Sequence, residues 1–171
     1  MIEDTIDFAK LQEAVYEQRS FDDASVHGVS HWKQVEYNAL LLAKMNGADV
    51  TVVRLFAIFH DSRRVDDGYD EEHGPRGAEL AKEWRGKYYE LDDERFEMLY
   101  HACKEHTTTR STGNVTIDTC FDADRLDLPR VLILPDPDRL ATNAGKKIAT
   151  LGRKLGIRCE EYREWIRNLV F

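Results

Sequence analysis

His31, the adjacent pair His60-Asp61, His73, His106 and Asp124 are imidazole and carboxylate donors spread from residue 31 to residue 124. The last lies inside Asp122-Ala123-Asp124-Arg125-Leu126-Asp127. Mixed nitrogen and oxygen donors of this kind suit Mn, Fe, Co, Ni or Zn better than Mg or Ca. A cation held by them would lower the pKa of water and draw electron density from a phosphoryl oxygen. The chemistry on offer is metal-assisted hydrolysis, with small phosphorylated molecules as the expected substrates. It requires a fold that brings remote positions to one point.

Helical periodicity dominates the chain and predicts an all-α, single-domain helical bundle of about seven to eight helices. A first amphipathic helix is expected from about Ile6 to Gln18, with Phe8, Leu11 and Val15 on one stripe. Trp32, Val35, Ala39, Leu42 and Met45 mark a second, closed by Asn46-Gly47. Asp49 is placed to cap a third helix from Val50 to about Asp61. That helix is apolar nearly all round and should be the buried centre. Pro75 suits the first turn of a fourth helix carrying Ala78, Leu80, Ala81 and Trp84. Asp92 or Asp93 caps a fifth that runs to Glu105, and Ile117 to Leu128 reads as a sixth, halted by Pro129. Val131-Leu132-Ile133-Leu134 is read as a buried linker or turn, because no partner strand is in sight. Asp136-Pro137-Asp138 is read as a helix start, and Tyr162, Trp165, Ile166 and Leu169 as a closing helix.

A chain of 171 residues suits one domain over 1–171. The formal charge of −8 argues against a general nucleic-acid binder. It leaves room for an anionic substrate, since a bound divalent cation reverses the local field. No apolar run approaches a membrane span. Met1-Ile2-Glu3-Asp4 does not read as a leader, so a cytoplasmic location is expected. Cys103, Cys120 and Cys159 are odd in number and lack a CxxC pair, as expected of free thiols in a reducing compartment. A homo-oligomer is compatible with the sequence.

The individual donors can be weighed by geometry. His60 and Asp61 end the buried helix about 100° apart, near enough for one metal at the helix end to reach both. His31 opens a separate helix. His27 sits in or before that helix start and is read as a substrate contact or a support for a ligand, against the plainer reading of a loop histidine. Asp122 and Asp124 lie about 200° apart on a helix. The Asp124 face is the more apolar, so Asp124 is the expected internal ligand and Asp122 the solvent-facing one. Asp127, one turn on, could orient a ligand or pair with an arginine.

In their local settings His27-Gly-Val-Ser-His31-Trp, Phe59-His60-Asp61-Ser-Arg-Arg and Asp122-Ala-Asp124-Arg-Leu-Asp, these residues resemble the H…HD…D signature of the HD-domain superfamily of metal-dependent phosphohydrolases. The resemblance runs over about residues 27–128. It implies an HD-type helical fold, on which the helices of 130–171 pack, and one metal bound by His31, His60, Asp61 and Asp124. His73 at a helix start and His106 at a helix end resemble the further histidines of binuclear members, in which Asp61 would bridge two ions. The alternative is a single ion, with His73 and His106 binding substrate phosphate. The GYP segment of cyclic-di-GMP phosphodiesterases is missing, with Thr107-Thr108-Thr109 in its place. Arg63-Arg64 replaces the acidic residues that stringent-response hydrolases carry after the HD pair, so no branch passes on its substrate. Arg63, Arg64 and Lys104 are the candidates for stabilising phosphoryl charge, against salt bridges from the arginines to Asp66, Asp67, Asp70, Glu71 and Glu72. Glu72 is a candidate proton shuttle. The rival readings are a non-catalytic module that binds metal and nucleotide, and a di-iron oxygenase.

Overall fold

The computed structural model describes residues 6–20 and 24–170. Over them the chain forms eight α-helices: Phe8–Glu17 (α1), Val29–Asn46 (α2), Val50–Phe59 (α3), His73–Trp84 (α4), Asp93–Glu105 (α5), Val115–Arg125 (α6), Asn143–Lys154 (α7) and Cys159–Arg167 (α8). Short 3-10 turns at Leu128–Val131 and Pro137–Arg139 link α6 to α7. Among the described residues the only β pairing is an isolated bridge between Arg85 and Tyr89. The fold is all-α. The acidic N-terminus Met1 to Asp4 lies outside the described residues.

Seven of the ten residues of α3 are buried, so this helix needs neighbours on every side. It has them: α1, α2, α4, α5 and α6 all pack against it. The local signals that position it act as expected. Gly47 takes φ 77 and its N–H closes α2 on the Ala43 carbonyl at 2.8 Å. Two residues later the Asp49 carboxylate accepts from Val52 N–H at 2.9 Å and starts α3. One contiguous hydrophobic core then runs from Leu11 to Ile166.

Helix α4 lies unusually close to its neighbours. A Cβ added at Gly77 would sit 2.4 Å from the Phe59 carbonyl oxygen and 3.0 Å from that of His60. One added at Gly74 would sit 2.8 Å from the Cys103 carbonyl oxygen. The two glycines let α4 press backbone to backbone against the ends of α3 and α5. Those ends carry His60 and His106, and α4 itself begins at His73.

Four expectations need correction. Helix α6 stops at Arg125, and Pro129 sits in the 3-10 turn that follows. Asp136-Pro137-Asp138 opens only a three-residue 3-10 turn, and α7 starts later, capped by the Thr142 side chain on Gly145 N–H. Val131, Leu132, Ile133 and Leu134 are exposed rather than buried, with Leu132 at 81%. The 3-10 turn that ends at Val131 packs on α8, yet apolarity alone does not bury the four side chains. The fourth concerns Asp122, which is fully buried. Its Oδ1 accepts from Ala141 N–H at 2.7 Å, and its Oδ2 from Thr142 N–H at 2.8 Å and Thr142 Oγ1 at 2.7 Å. It ties α6 to the start of α7.

Candidate metal centre

Five elements deliver the donors to one place. His31 comes from the first turn of α2, His60 caps α3, and Asp61 follows it. His73 opens α4 and His106 caps α5. Asp124 comes from the last turn of α6.

The donors form two groups that meet at Asp61. In the first, His31 Nε2 lies 3.1 Å from His60 Nε2, 3.2 Å from Asp124 Oδ1 and 3.4 Å from Asp61 Oδ2. His60 Nε2 lies 3.5 Å from the same Asp61 oxygen. In the second, His73 Nε2 lies 3.0 Å from His106 Nε2 and 3.3 Å from Asp61 Oδ1. His106 Nε2 is 3.7 Å from that oxygen. Each group has ligand atoms close enough to share an ion.

The protons say what the groups are for. His60 Nδ1 faces the Phe56 carbonyl at 3.1 Å, His106 Nδ1 the Cys103 carbonyl at 2.8 Å, and His73 Nδ1 the Asp70 carbonyl. A carbonyl oxygen only accepts, so these nitrogens carry the proton. His31 Nδ1 likewise donates to the Asp127 carboxylate at 2.7 Å. In neutral imidazoles, four Nε2 lone pairs are then aimed inward at one another and at three carboxylate oxygens, of which Asp61 Oδ2 has a donor in His27 Nδ1 and the imidazole Nε2 atoms have none. Buried acceptors facing acceptors are costly unless something positive lies among them. The residues fit a divalent cation in each group.

The titration pattern agrees. Burial disfavours the charged form of His31, but the carboxylates of Asp124, Asp127 and Asp61 outweigh it and raise its pKa to about 10. Burial lowers the pKa of its neighbour His60 to about 3, helped by the charge on His31. In the second group burial dominates at His73 and lowers its pKa, whereas at His106 the bond to Asp61 outweighs burial and raises it. Asp61 and Asp124 stay ionised: burial opposes this, but the imidazoles around them prevail and pull both well below the ordinary carboxylate range. The first group therefore holds one proton where a cation would go, on His31. A cation competes with that proton, so affinity at the first group rises with pH up to the pKa of His31. The expected result is proton release on cation uptake and about tenfold weaker binding per unit fall in pH for each proton displaced. Titration calorimetry in two buffers of different ionisation enthalpy checks it; buffer-independent heats would contradict it.

The residues expected around the centre divide. His27 lies before α2, and its Nδ1 is 2.9 Å from Asp61 Oδ2. Asp127 is fully buried and holds His31. Arg64 is buried, with Nε 3.8 Å from Asp61 Oδ1 and no hydrogen-bond partner on that nitrogen. Arg63 turns away and donates to Gln18 Oε1 at 2.7 Å. It lines a groove of about 870 Å³ with Glu72, Arg76 and Glu79, outside the histidine groups. Lys104 is exposed, as is Glu72. Arg63 is thus engaged with Gln18, and Lys104 and Glu72 face solvent; among the described residues none of these three side chains makes a hydrogen bond or ion pair with the six donors. Among the described residues neither Arg63 nor Arg64 is paired with Asp66, Asp67, Asp70, Glu71 or Glu72; Asp70 is held by Arg76 through Nη2 at 2.6 Å, and the near carboxylate of Arg64 is Asp61.

Two arginines were missed. Arg130, in the turn after α6, donates from Nε to Val26 O at 3.1 Å and from Nη1 to Asp127 O at 3.0 Å, and its Nη2 lies 3.3 Å from His27 Nδ1. Arg163 of α8 grips Asp127. Neither has a local sequence signal, since the contacts that place them at the centre, Val26 and His27 for Arg130 and Asp127 and Ser30 for Arg163, are remote in the chain.

The HD domain family matches residues 28–143, more than half of the chain and a span that contains all six donors. The crystal structure of a predicted HD superfamily hydrolase from an uncultured Thermotogales bacterium is similar in fold, with a TM-score of 0.68 and 23% identity, over 94% of this chain and 90% of that one. No curated protein matches. With the helices, the paired His-Asp at the end of the central one and the matched span in agreement, the chain belongs to the HD-domain family.

Proposed function

We propose that the protein is a metal-dependent phosphohydrolase that acts on a phosphate ester, a nucleotide or another small phosphorylated metabolite. The observation that carries this reading is the convergence of four Nε2 lone pairs on the two oxygens of Asp61 and on Asp124. The reading draws on the HD family and on the similar fold of a protein described as a predicted hydrolase. His31, His60, Asp61 and Asp124 would hold one cation; Asp61, His73 and His106 would hold a second. A divalent transition metal there supplies Lewis acidity, which lowers the pKa of water and offsets phosphoryl charge.

The chain's own groups do the rest. His27 donates from Nδ1 to Asp61 Oδ2 and fixes the shared carboxylate. With that nitrogen protonated, Arg130 Nη2 cannot donate to it and keeps its N–H groups for an anion. Arg64 Nε is also without an acceptor, at the other group. The two guanidiniums therefore flank the centre, one beside each group. They are the candidates to orient a phosphoryl group and stabilise its charge as it develops.

The test uses purified protein, analysed for metal and then loaded with manganese, nickel or cobalt. It is assayed on p-nitrophenyl phosphate, bis-p-nitrophenyl phosphate and a nucleotide panel. Phosphate or nitrophenol release that stops on chelation is the expected result. Tight metal and nucleotide binding without turnover would replace it with a binding module, and bound iron with redox-dependent absorbance would point to oxygen chemistry.

A further inference from the structure

The matched span ends at residue 143, yet a side chain from α8 reaches the buried side of the centre. Arg163 donates from Nε to Asp127 Oδ1 at 2.7 Å and from Nη2 to Asp127 Oδ2 at 2.7 Å. Its Nη1 donates to Ser30 Oγ at 3.0 Å. The side chain of Asp127 is fully buried, and its Oδ2 also takes the Nδ1 proton of His31. A fork of two parallel N–H groups fixes a carboxylate in both position and plane, which a point charge does not. The bond to Ser30 ties the same guanidinium to α2, one residue before His31.

We propose that Arg163 is a positioning residue for the first cation site: by locking Asp127, it commits the Nδ1 proton of His31 and keeps the Nε2 lone pair of that ring aimed at His60 and Asp124. This deepens the metal-centre reading and rests on it. The last helix of the chain is then part of the centre. Arg163 acts on one site of the two, because His73 and His106 take their orientation from the backbone carbonyls of Asp70 and Cys103.

The experiment measures affinity for manganese and cobalt by competition with a chromogenic chelator. It is run in two backgrounds, His106→Ala to leave the first site and His60→Ala to leave the second. Arg163→Met is expected to weaken the first site about 10–100-fold and to leave the second within about twofold. Arg163→Lys, which keeps the charge and loses the fork, should fall between wild type and Arg163→Met. Equal loss at both sites, or no loss at the first, would overturn the proposal and leave Arg163 as a tie that merely holds α8. If Arg163→Met does not fold, Arg163→Lys decides, and an unchanged first site in it sinks the idea. A second readout does not depend on metal. The His31 Nδ1–H resonance of the full chain should be protected from exchange in wild type and lost in Arg163→Met. If wild type binds no metal, the phosphohydrolase reading fails, and this resonance still judges Arg163: equal protection in both proteins counts against it.

Discussion

Replacing Asp61 with alanine is expected to strip both cations and to lower hydrolysis by at least about a thousandfold, or about 4 kcal/mol of barrier. No other single donor has this reach. Its Oδ2 faces His27, His31 and His60 at 2.9, 3.4 and 3.5 Å, and its Oδ1 faces His73 and His106 at 3.3 and 3.7 Å. Without the carboxylate, each group keeps its imidazoles but loses the negative charge they share. Asparagine is no remedy, because its amide is neutral and its NH₂ group has no free lone pair to offer a cation. His106→Ala, by contrast, removes a donor from the second group alone. Metal analysis beside a phosphate-release assay separates the cases. Two ions per chain and undiminished turnover in Asp61→Ala would remove the mechanism.

Asp122→Ala should cost about 3–5 kcal/mol of stability, the range for a buried charge network broken on one side. The substitution leaves the N–H groups of Ala141 and Thr142 without their acceptor, each costing about 1–3 kcal/mol. It also frees Thr142, whose hydroxyl bonds to Asp122 and caps α7. Gly145 shows how tightly this joint is made: a Cβ there would lie 2.4 Å from Asp122 Oδ2. For a chain of this length the melting temperature should fall by about 10 °C. Below that temperature the variant should still bind metal, since Asp122 touches none of the six donors. Asp124→Ala should do the reverse, with metal lost from the first group and little change in melting. Thermal unfolding of the two metal-free variants side by side is the check, and equal melting temperatures would contradict the assignment.

Asp122 also shows where reading the sequence stops working. Its inward and outward faces were judged from neighbours on its own helix, and by that measure Asp124 has the apolar surroundings. The judgement fails because α6 is covered on more than one side, by α2, α3 and α5 and, at its end, by the segment leading into α7. A helix with two buried faces has no solvent side to give away. The six donors were legible because their types are unusual in apolar settings and because helix starts and ends carry strong local signals, such as Gly47, Asp49 and Asp92. Arg130 and Arg163 carry no such signal. A surface arginine and one that grips a buried carboxylate look alike until the partner's place in space is known. Arg63 misled for the same reason: it adjoins Arg64 in the chain, yet it projects away from the centre toward Gln18.

The way the helices divide between the two donor groups has a consequence for exchange. One group draws on α2, α3 and α6, and the other on α3, α4 and α5, with a single carboxylate as their common pin. Helices α4 and α5 are each other's most extensive neighbours, and α5 also packs on α3 and α6. Were both groups filled, a transient loosening of that pair would open the second while the first stays caged, and the two ions would then leave at different rates rather than together.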